Sequence, residues 1–144
     1  MLTQIRPSSQ ANVLLFLYDF TMANKLVRLE MVSKFASTRE SNVVPLAAFT
    51  SLSSYLLQHA HRSPRVSAYA CLNLLTLQVL ISDFDVTRQI CSPDNATPVR
   101  LCRQKAPLLP AVKNDRILAG AILDAVTGGI SHNLRRRLDV ELYK

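Results

Sequence analysis

Residues 63–82 read SPRVSAYACLNLLTLQVLIS and decide the fold class of this chain. Ser63 is a preferred N-cap residue and Pro64 suits the first helical position, so the pair predicts a helix that begins at Pro64. Beyond them, apolar residues lie on almost every side of that helix instead of along one stripe. A helix of this kind is buried among other helices, so we expect it to be the central packing element of an all-α protein.

Helical periodicity also precedes this segment. Asn24 divides a long periodic stretch into two pieces, and Pro45 opens a further predicted helix. In the first stretch, residues at spacings of three or four predict one core-facing stripe: Val13, Phe16, Leu17, Phe20, Ala23, Val27 and Met31. After Pro45, the predicted core side consists of Leu46, Phe49, Leu52 and Leu56.

The chain beyond the central helix is less regular. Asp83 is the predicted cap of a short helix that ends at Cys91. Residues 92–114 contain four prolines, which predicts an irregular stretch. Four apolar residues indicate that this stretch packs onto the body: Val99, Leu101, Leu108 and Leu109.

Asn114 is the predicted cap of a last helix. Ala121, Ala125 and Gly129 form a line of small residues along it. Glycine in a helix interior costs about 1 kcal/mol, so we expect a bend or a close helix crossing near Gly129. Altogether the sequence predicts about five or six helices joined by short polar turns, an arrangement typical of armadillo/HEAT-like α-solenoids. Residues 1–9 are interpreted as a flexible lead, and residues 10–144 as a single domain of a larger solenoid.

Motif analysis favours a non-enzymatic chain. The three cysteines and three histidines lack metal-ligand spacing, and no phosphate loop or nucleophile elbow is found. We therefore expect no catalytic residue, metal, cofactor or small-molecule substrate. Cys71 lies in an apolar run, which predicts a core thiol, and the odd cysteine count indicates a reducing compartment.

The chain carries a net charge of +7, which suits an acidic partner or simply favours solubility. The candidate interaction surface consists of basic residues near the irregular stretch and in the last helix: Arg100, Arg103, Lys105, Arg135, Arg136 and Arg137. For Arg135–Arg137 the alternative is a solvated face near a helix C-terminus, which favours cations in any case. Aromatic residues make up 6% of the chain and lie mostly on predicted core stripes, which argues against nucleic-acid binding.

Three segments carry a family resemblance: LQHAHRSPR at 57–65 followed by YACL at 69–72, VRLCRQ at 99–104 with Pro107 and Pro110, and ISHNLRRRLDVELY at 130–143. Over residues 13–143 the chain resembles the armadillo-like helical domain-containing proteins, especially their fungal members. That resemblance implies a larger, non-enzymatic α-solenoid. The animal member is linked to Golgi membranes and to phosphatidylinositol 4-kinase beta, which implies a kinase as protein partner.

The resulting functional prediction is a cytoplasmic, non-enzymatic scaffold or adaptor. It would bind a protein partner and lie peripherally at Golgi membranes in phosphoinositide kinase regulation. The alternative prediction is a peripheral binder of anionic membrane lipid, held by the basic surface. No segment is long and apolar enough to predict a transmembrane helix, because polar residues interrupt the longest apolar run.

Overall fold

The computed structural model describes residues 9–33, 44–102 and 116–135, with side chains from Asn12 onward. Within these residues the chain is all-α, with two short 3₁₀ turns and one isolated antiparallel bridge. The six helices are α1 (Ser9–Ala23), α2 (Lys25–Val32), α3 (Pro45–His59), α4 (Pro64–Ser82), α5 (Phe84–Cys91) and α6 (Leu118–Arg135). The prediction of an all-α chain of five or six helices is therefore confirmed.

Four predicted helix starts, at Asn24, Pro45, Ser63–Pro64 and Asp83, are also confirmed. The Asn24 side chain accepts a hydrogen bond from the Leu26 N–H at 2.8 Å, which separates α2 from α1. The Ser63 hydroxyl accepts from the Val66 N–H at 3.3 Å, with Pro64 at the first helical position. Asp83 caps α5 by accepting from two backbone N–H groups. Caps of this kind supply acceptors for amides that have no partner within the helix.

Helix α3 joins the two halves of the described core. It packs against α6 on one side and α4 on the other. The close crossing expected at Gly129 is confirmed: a Cβ built on this glycine would lie 2.6 Å from the Leu57 Cβ of α3. Helix α6 is continuous through Gly128 and Gly129, so the small residues permit close approach instead of a bend.

Helix α4 has the predicted bounds but not the predicted burial. It packs against α1, α3 and α5. The buried residues of this 19-residue helix are only Ala70, Asn73, Thr76, Leu77 and Leu80. Leu75 and Ile81 are 40% and 50% exposed. The described neighbours cover one side of α4 and leave the other open, so the expectation of burial all round is wrong. Cys71 lies on the open side, and the prediction of a core thiol is wrong for the same reason.

The predicted core stripe of α1 is also wrong in part. This helix packs on α4 through the buried Leu14 and Thr21, with the half-buried Leu17 between them. Val13, Phe16 and Phe20 point away from the bundle. On a helix both sets recur at spacings of three or four, so periodicity alone did not identify the packed side.

The described part of the irregular stretch, residues 92–102, packs onto the body as expected. Val99 and Leu101 are buried, and the Cys102 N–H donates to the Ser54 hydroxyl at 2.8 Å. Thr97 and Arg116 exchange backbone hydrogen bonds, which ties the start of the stretch to the start of α6. The predictions for Leu108, Leu109, the Asn114 cap and the continuation of the last helix beyond Arg135 lie outside the described residues.

Candidate functional site

One side of α1 carries an exposed apolar stripe. Val13, Phe16 and Phe20 are 66%, 64% and 54% exposed, and we call these three residues the outer α1 face. The rings of Phe16 and Phe20 stack with centroids 6.2 Å apart. Single exposed apolar residues are common on protein surfaces, but contiguous apolar patches mark interaction sites.

Charge is nearly absent from the same helix. Asp19 is the only ionisable acid or base with a formal charge at pH 7 between Ser9 and Ala23, and no lysine or arginine occurs there. Leu15 and Met22 extend the exposed apolar surface around the other side of α1. The helix therefore has no basic polar face that would direct it to anionic lipid, and its contacts depend on apolar area.

A cleft of about 540 Å³ lies between α1 and α4. The apolar half of its lining comes from Tyr18, Met22, Leu75 and Val79. Polar groups line the rest of it: Arg28, Gln78, Ser82 and Asp83. The volume falls within the roughly 300–1,000 Å³ range of small-ligand pockets.

The polar end of the cleft is organised by Arg28 of α2. Its Nε donates to Asp83 Oδ2 at 3.0 Å, and its Nη1 donates to the carbonyl oxygens of Thr21 and Met22 at 2.8 and 3.3 Å. The guanidinium thus holds the end of α1 next to the start of α5. Within the described part of the chain, Arg28 Nη2 has no such bond.

Neighbouring groups shift the pKa values of Lys25 and Asp83 at this end of the molecule. A hydrogen bond to Asp85, at 2.6 Å, raises the pKa of Lys25. Desolvation acts to raise the pKa of Asp83, but hydrogen bonds from the Val86 N–H and from Arg28 outweigh it and lower that pKa. Asp83 therefore remains a carboxylate paired with Arg28 at neutral pH.

The basic residues predicted as an interaction surface are described only in part. Arg100 and Arg135 are both exposed, on the irregular stretch and at the end of α6, and no described contact joins them. Arg103, Lys105, Arg136 and Arg137 lie outside the described residues. The surface formed by these six residues stays a prediction.

The three histidines lie near the ends of α3 and α6. His59 is buried, and its Nδ1 lies 2.8 Å from the Tyr55 carbonyl oxygen. The rings of His61 and His132 lie 5.2 Å apart, so the 3₁₀ turn Ala60–Arg62 that follows α3 lies next to α6. Among the residues that the structure describes, no group of three histidine, cysteine or acidic side chains is placed to hold a metal.

One helix in the described part, Pro64–Ser82, is long and apolar enough to cross a membrane. The prediction that no segment is long and apolar enough is therefore wrong. Asn73 and Thr76 interrupt the apolar run, but they are polar and uncharged, so the helix keeps an apolar composition. Length and composition alone do not separate a spanning helix from a core helix of similar length. The low burial of α4 nevertheless leaves an apolar surface beside the cleft.

Comparisons with known proteins give one informative match. No protein-family model matches the chain, and no solved structure matches it. The chain is similar to a UPF0588 membrane protein of Schizosaccharomyces pombe, with 27% identity over 137 residues. The aligned region covers 95% of this chain but 22% of the relative, so the chain spans about a fifth of that protein's length.

This similarity contradicts two predictions. The relative is named a membrane protein, so the predicted cytoplasmic scaffold or adaptor at Golgi membranes, with its anionic-lipid alternative, is wrong. The predicted cytoplasmic or peripheral location is wrong on the same finding. Val13, Phe16 and Phe20 were predicted to lie in the core, and their exposure on α1 leaves an apolar surface that the charge-based predictions did not consider.

Proposed function

We propose that this chain is a helical segment of a membrane protein and that the outer α1 face inserts into the acyl region of one leaflet. The observation that carries the proposal is the exposure of Val13, Phe16 and Phe20 on a helix without lysine or arginine. An interfacial helix buries its apolar face about 5–10 Å into the headgroup and acyl boundary. The membrane-protein name of the similar yeast protein supports the same class.

In this arrangement α1 lies in the membrane plane and the rest of the bundle stands above it. The packed side of α1, with Leu14 and Thr21, stays on α4, so insertion requires no unfolding. Because the inserted residues are apolar, the binding free energy comes from buried area and not from charge. We also propose the finer sequence predictions, a non-enzymatic armadillo-like domain over residues 10–144 within a larger solenoid. A protein partner, by resemblance a phosphatidylinositol 4-kinase, stays a prediction.

Flotation with vesicles of neutral phosphatidylcholine tests the insertion. The chain is expected to float with these vesicles and to remain bound in high salt, because salt screens charge but not apolar burial. The double variant Phe16→Ser/Phe20→Ser is expected to lower the partition coefficient at least about tenfold, since each buried phenylalanine contributes roughly 1.5–3 kcal/mol.

The matched control is Leu123→Ser/Leu134→Ser. These leucines are 66% and 68% exposed, as much as the α1 residues, but they lie on α6. The control is expected to float like the parent chain. Binding that requires anionic lipid, or equal loss in both double variants, contradicts insertion by the outer α1 face.

A transmembrane α4 is the second candidate, favoured by its length and apolar composition. Arg62 and Phe84 flank this helix and are both exposed, so each position accepts a cysteine in a chain whose native cysteines are replaced by serine. A membrane-impermeant maleimide added outside sealed vesicles labels both sites if α1 inserts in one leaflet. Labelling of only one site supports the spanning helix.

A further inference from the structure

The cleft between α1 and α4 combines features that a purely structural groove does not need. Tyr18, Met22, Leu75 and Val79 form its apolar half, and Arg28, Gln78, Ser82 and Asp83 form its polar half. The Arg28–Asp83 pair lies where the end of α1 meets the start of α5. Leu75 and Met22 are 40% and 52% exposed, so the apolar part opens to the outside of the bundle. A ligand that matches these walls has a long apolar part and a compact polar head.

The polar end also limits the charge of that head. Arg28 and Asp83 form an ion pair at 3.0 Å, so the two charges together sum to zero. Both side chains line the cleft, which places a cation and an anion side by side at its end. A head that carries its own phosphate and ammonium complements this pair. A head with a net charge is repelled by the member of the pair that has the same sign.

Arg28 has donor capacity left for such a head. Its Nε and Nη1 are engaged with Asp83 and with the end of α1, while Nη2 has no bond to a described residue. The engaged atoms fix the plane of the guanidinium, so Nη2 is held without further ordering of the side chain. Phosphate oxygens are strong acceptors for a donor of this kind.

We infer that the α1–α4 cleft binds one acyl chain of a zwitterionic phospholipid, with the phosphate near Arg28 and the ammonium near Asp83. The inference rests on the proposed function for the source of the lipid, because a chain inserted through α1 brings the mouth of the cleft to the bilayer. The cleft itself is formed by residues that are not part of the outer α1 face, so its occupancy is measured separately.

The test uses lysophosphatidylcholine with a nitroxide on its acyl chain, kept below the critical micelle concentration so that no bilayer is needed. Electron paramagnetic resonance on purified residues 1–144 is expected to show an immobilised component that saturates at one lipid per chain. Leu75→Trp, which narrows the mouth, is expected to weaken binding at least tenfold. Leu123→Trp, at an exposed leucine of α6, is the matched control and is expected to bind normally.

A second cleft variant and a competitor without an acyl chain distinguish loss of folding from loss of lipid binding. Val79→Phe fills the same cleft with a smaller change and replaces Leu75→Trp if circular dichroism shows that the tryptophan variant is unfolded. Glycerophosphocholine, the head without its tail, is expected not to displace the probe; displacement overturns the lipid assignment. Absence of the immobilised component, or normal binding by the cleft variants, overturns the inference.

The two proposals fail separately. Phe16→Ser/Phe20→Ser is expected to lose vesicle flotation and to keep lysolipid binding. If the parent chain floats with vesicles but never immobilises the probe, the cleft proposal fails and the membrane proposal stands. If the probe binds but neither the parent chain nor any variant floats, the membrane proposal fails and the cleft proposal stands.

Discussion

Gly129 of α6 lies against Leu57 of α3 so closely that a glycine-borne Cβ would sit 2.6 Å from the leucine Cβ and 3.1 Å from its Cδ1. Leu57 is 2% exposed, so it has little room to move away. The absence of a side chain at one position therefore sets the separation of two helices. This contact holds α6 against α3 in the described core.

Gly129→Ala is expected to lower the free energy of unfolding by about 1–3 kcal/mol, the usual cost of overpacking a well-filled contact. Urea denaturation followed by circular dichroism measures the change. Gly120→Ala is the control, because a Cβ there meets nothing within 4 Å and alanine favours a helix by up to about 1 kcal/mol. Equal effects at the two glycines contradict the close crossing.

Replacing either of two buried asparagines is expected to raise the free energy of unfolding, in contrast to Gly129→Ala. Asn73 and Asn133 are 1% and 0% exposed, and neither side chain has a hydrogen-bond partner within the described residues. An unsatisfied buried polar group costs about 1–3 kcal/mol, so leucine at either position is expected to stabilise the fold by about 1 kcal/mol or more.

Thermal unfolding of Asn73→Leu and Asn133→Leu checks this expectation against Thr76→Val. Thr76 is equally buried, but its hydroxyl donates to the Leu72 carbonyl oxygen at 2.9 Å, so its loss is expected to be neutral or destabilising. A lower unfolding midpoint for both asparagine variants would show that the amides have partners that stabilise the fold.

Acid is expected to weaken the junction of α2 and α5. Interactions with Val86 and Arg28 outweigh desolvation and lower the pKa of Asp83 below its ordinary value of 3.8. A group with a depressed pKa stabilises the fold above its unfolded-state pKa, and this contribution is lost as pH falls through the lower folded-state pKa. The unfolding midpoint is therefore expected to drop as pH falls below about 4.

Asp83→Asn isolates that contribution because asparagine keeps the volume and can still cap a helix. The variant is expected to be less stable at neutral pH and to show a shallower loss of stability in acid. Asp19→Asn, on the exposed side of α1, serves as control and is expected to follow the parent chain. A parallel acid profile for parent and Asp83→Asn contradicts the role of the Arg28–Asp83 pair.

Cysteine reactivity reports the open side of α4 directly. Cys71 and Cys91 are both exposed, whereas Cys102 is half-buried. A brief pulse of maleimide on the folded chain without lipid is expected to label Cys71 and Cys91 at similar rates and Cys102 more slowly. The labelling is measured by mass spectrometry of peptides. Slow labelling of Cys71 would show that this residue is buried and would contradict the open side of α4.

The sequence by itself determined where four of the helices begin. Asn24, Pro45, Ser63 and Asp83 act within one helical turn, so their effect on the backbone does not depend on the rest of the fold. The line of small residues ending at Gly129 also predicted a close crossing, because only a residue without a side chain admits another helix at that distance.

Only the tertiary structure decided which side of each apolar helix is covered. Val13, Phe16 and Phe20 have the same spacing as a core stripe, and burial depends on which neighbours reach the helix. Packing of α1 on α4 through Leu14 and Thr21 left that stripe outside and formed the cleft beside it. Long-range placement of Arg28 against Asp83 completed the site, since these residues are 55 positions apart and no local pattern connects them.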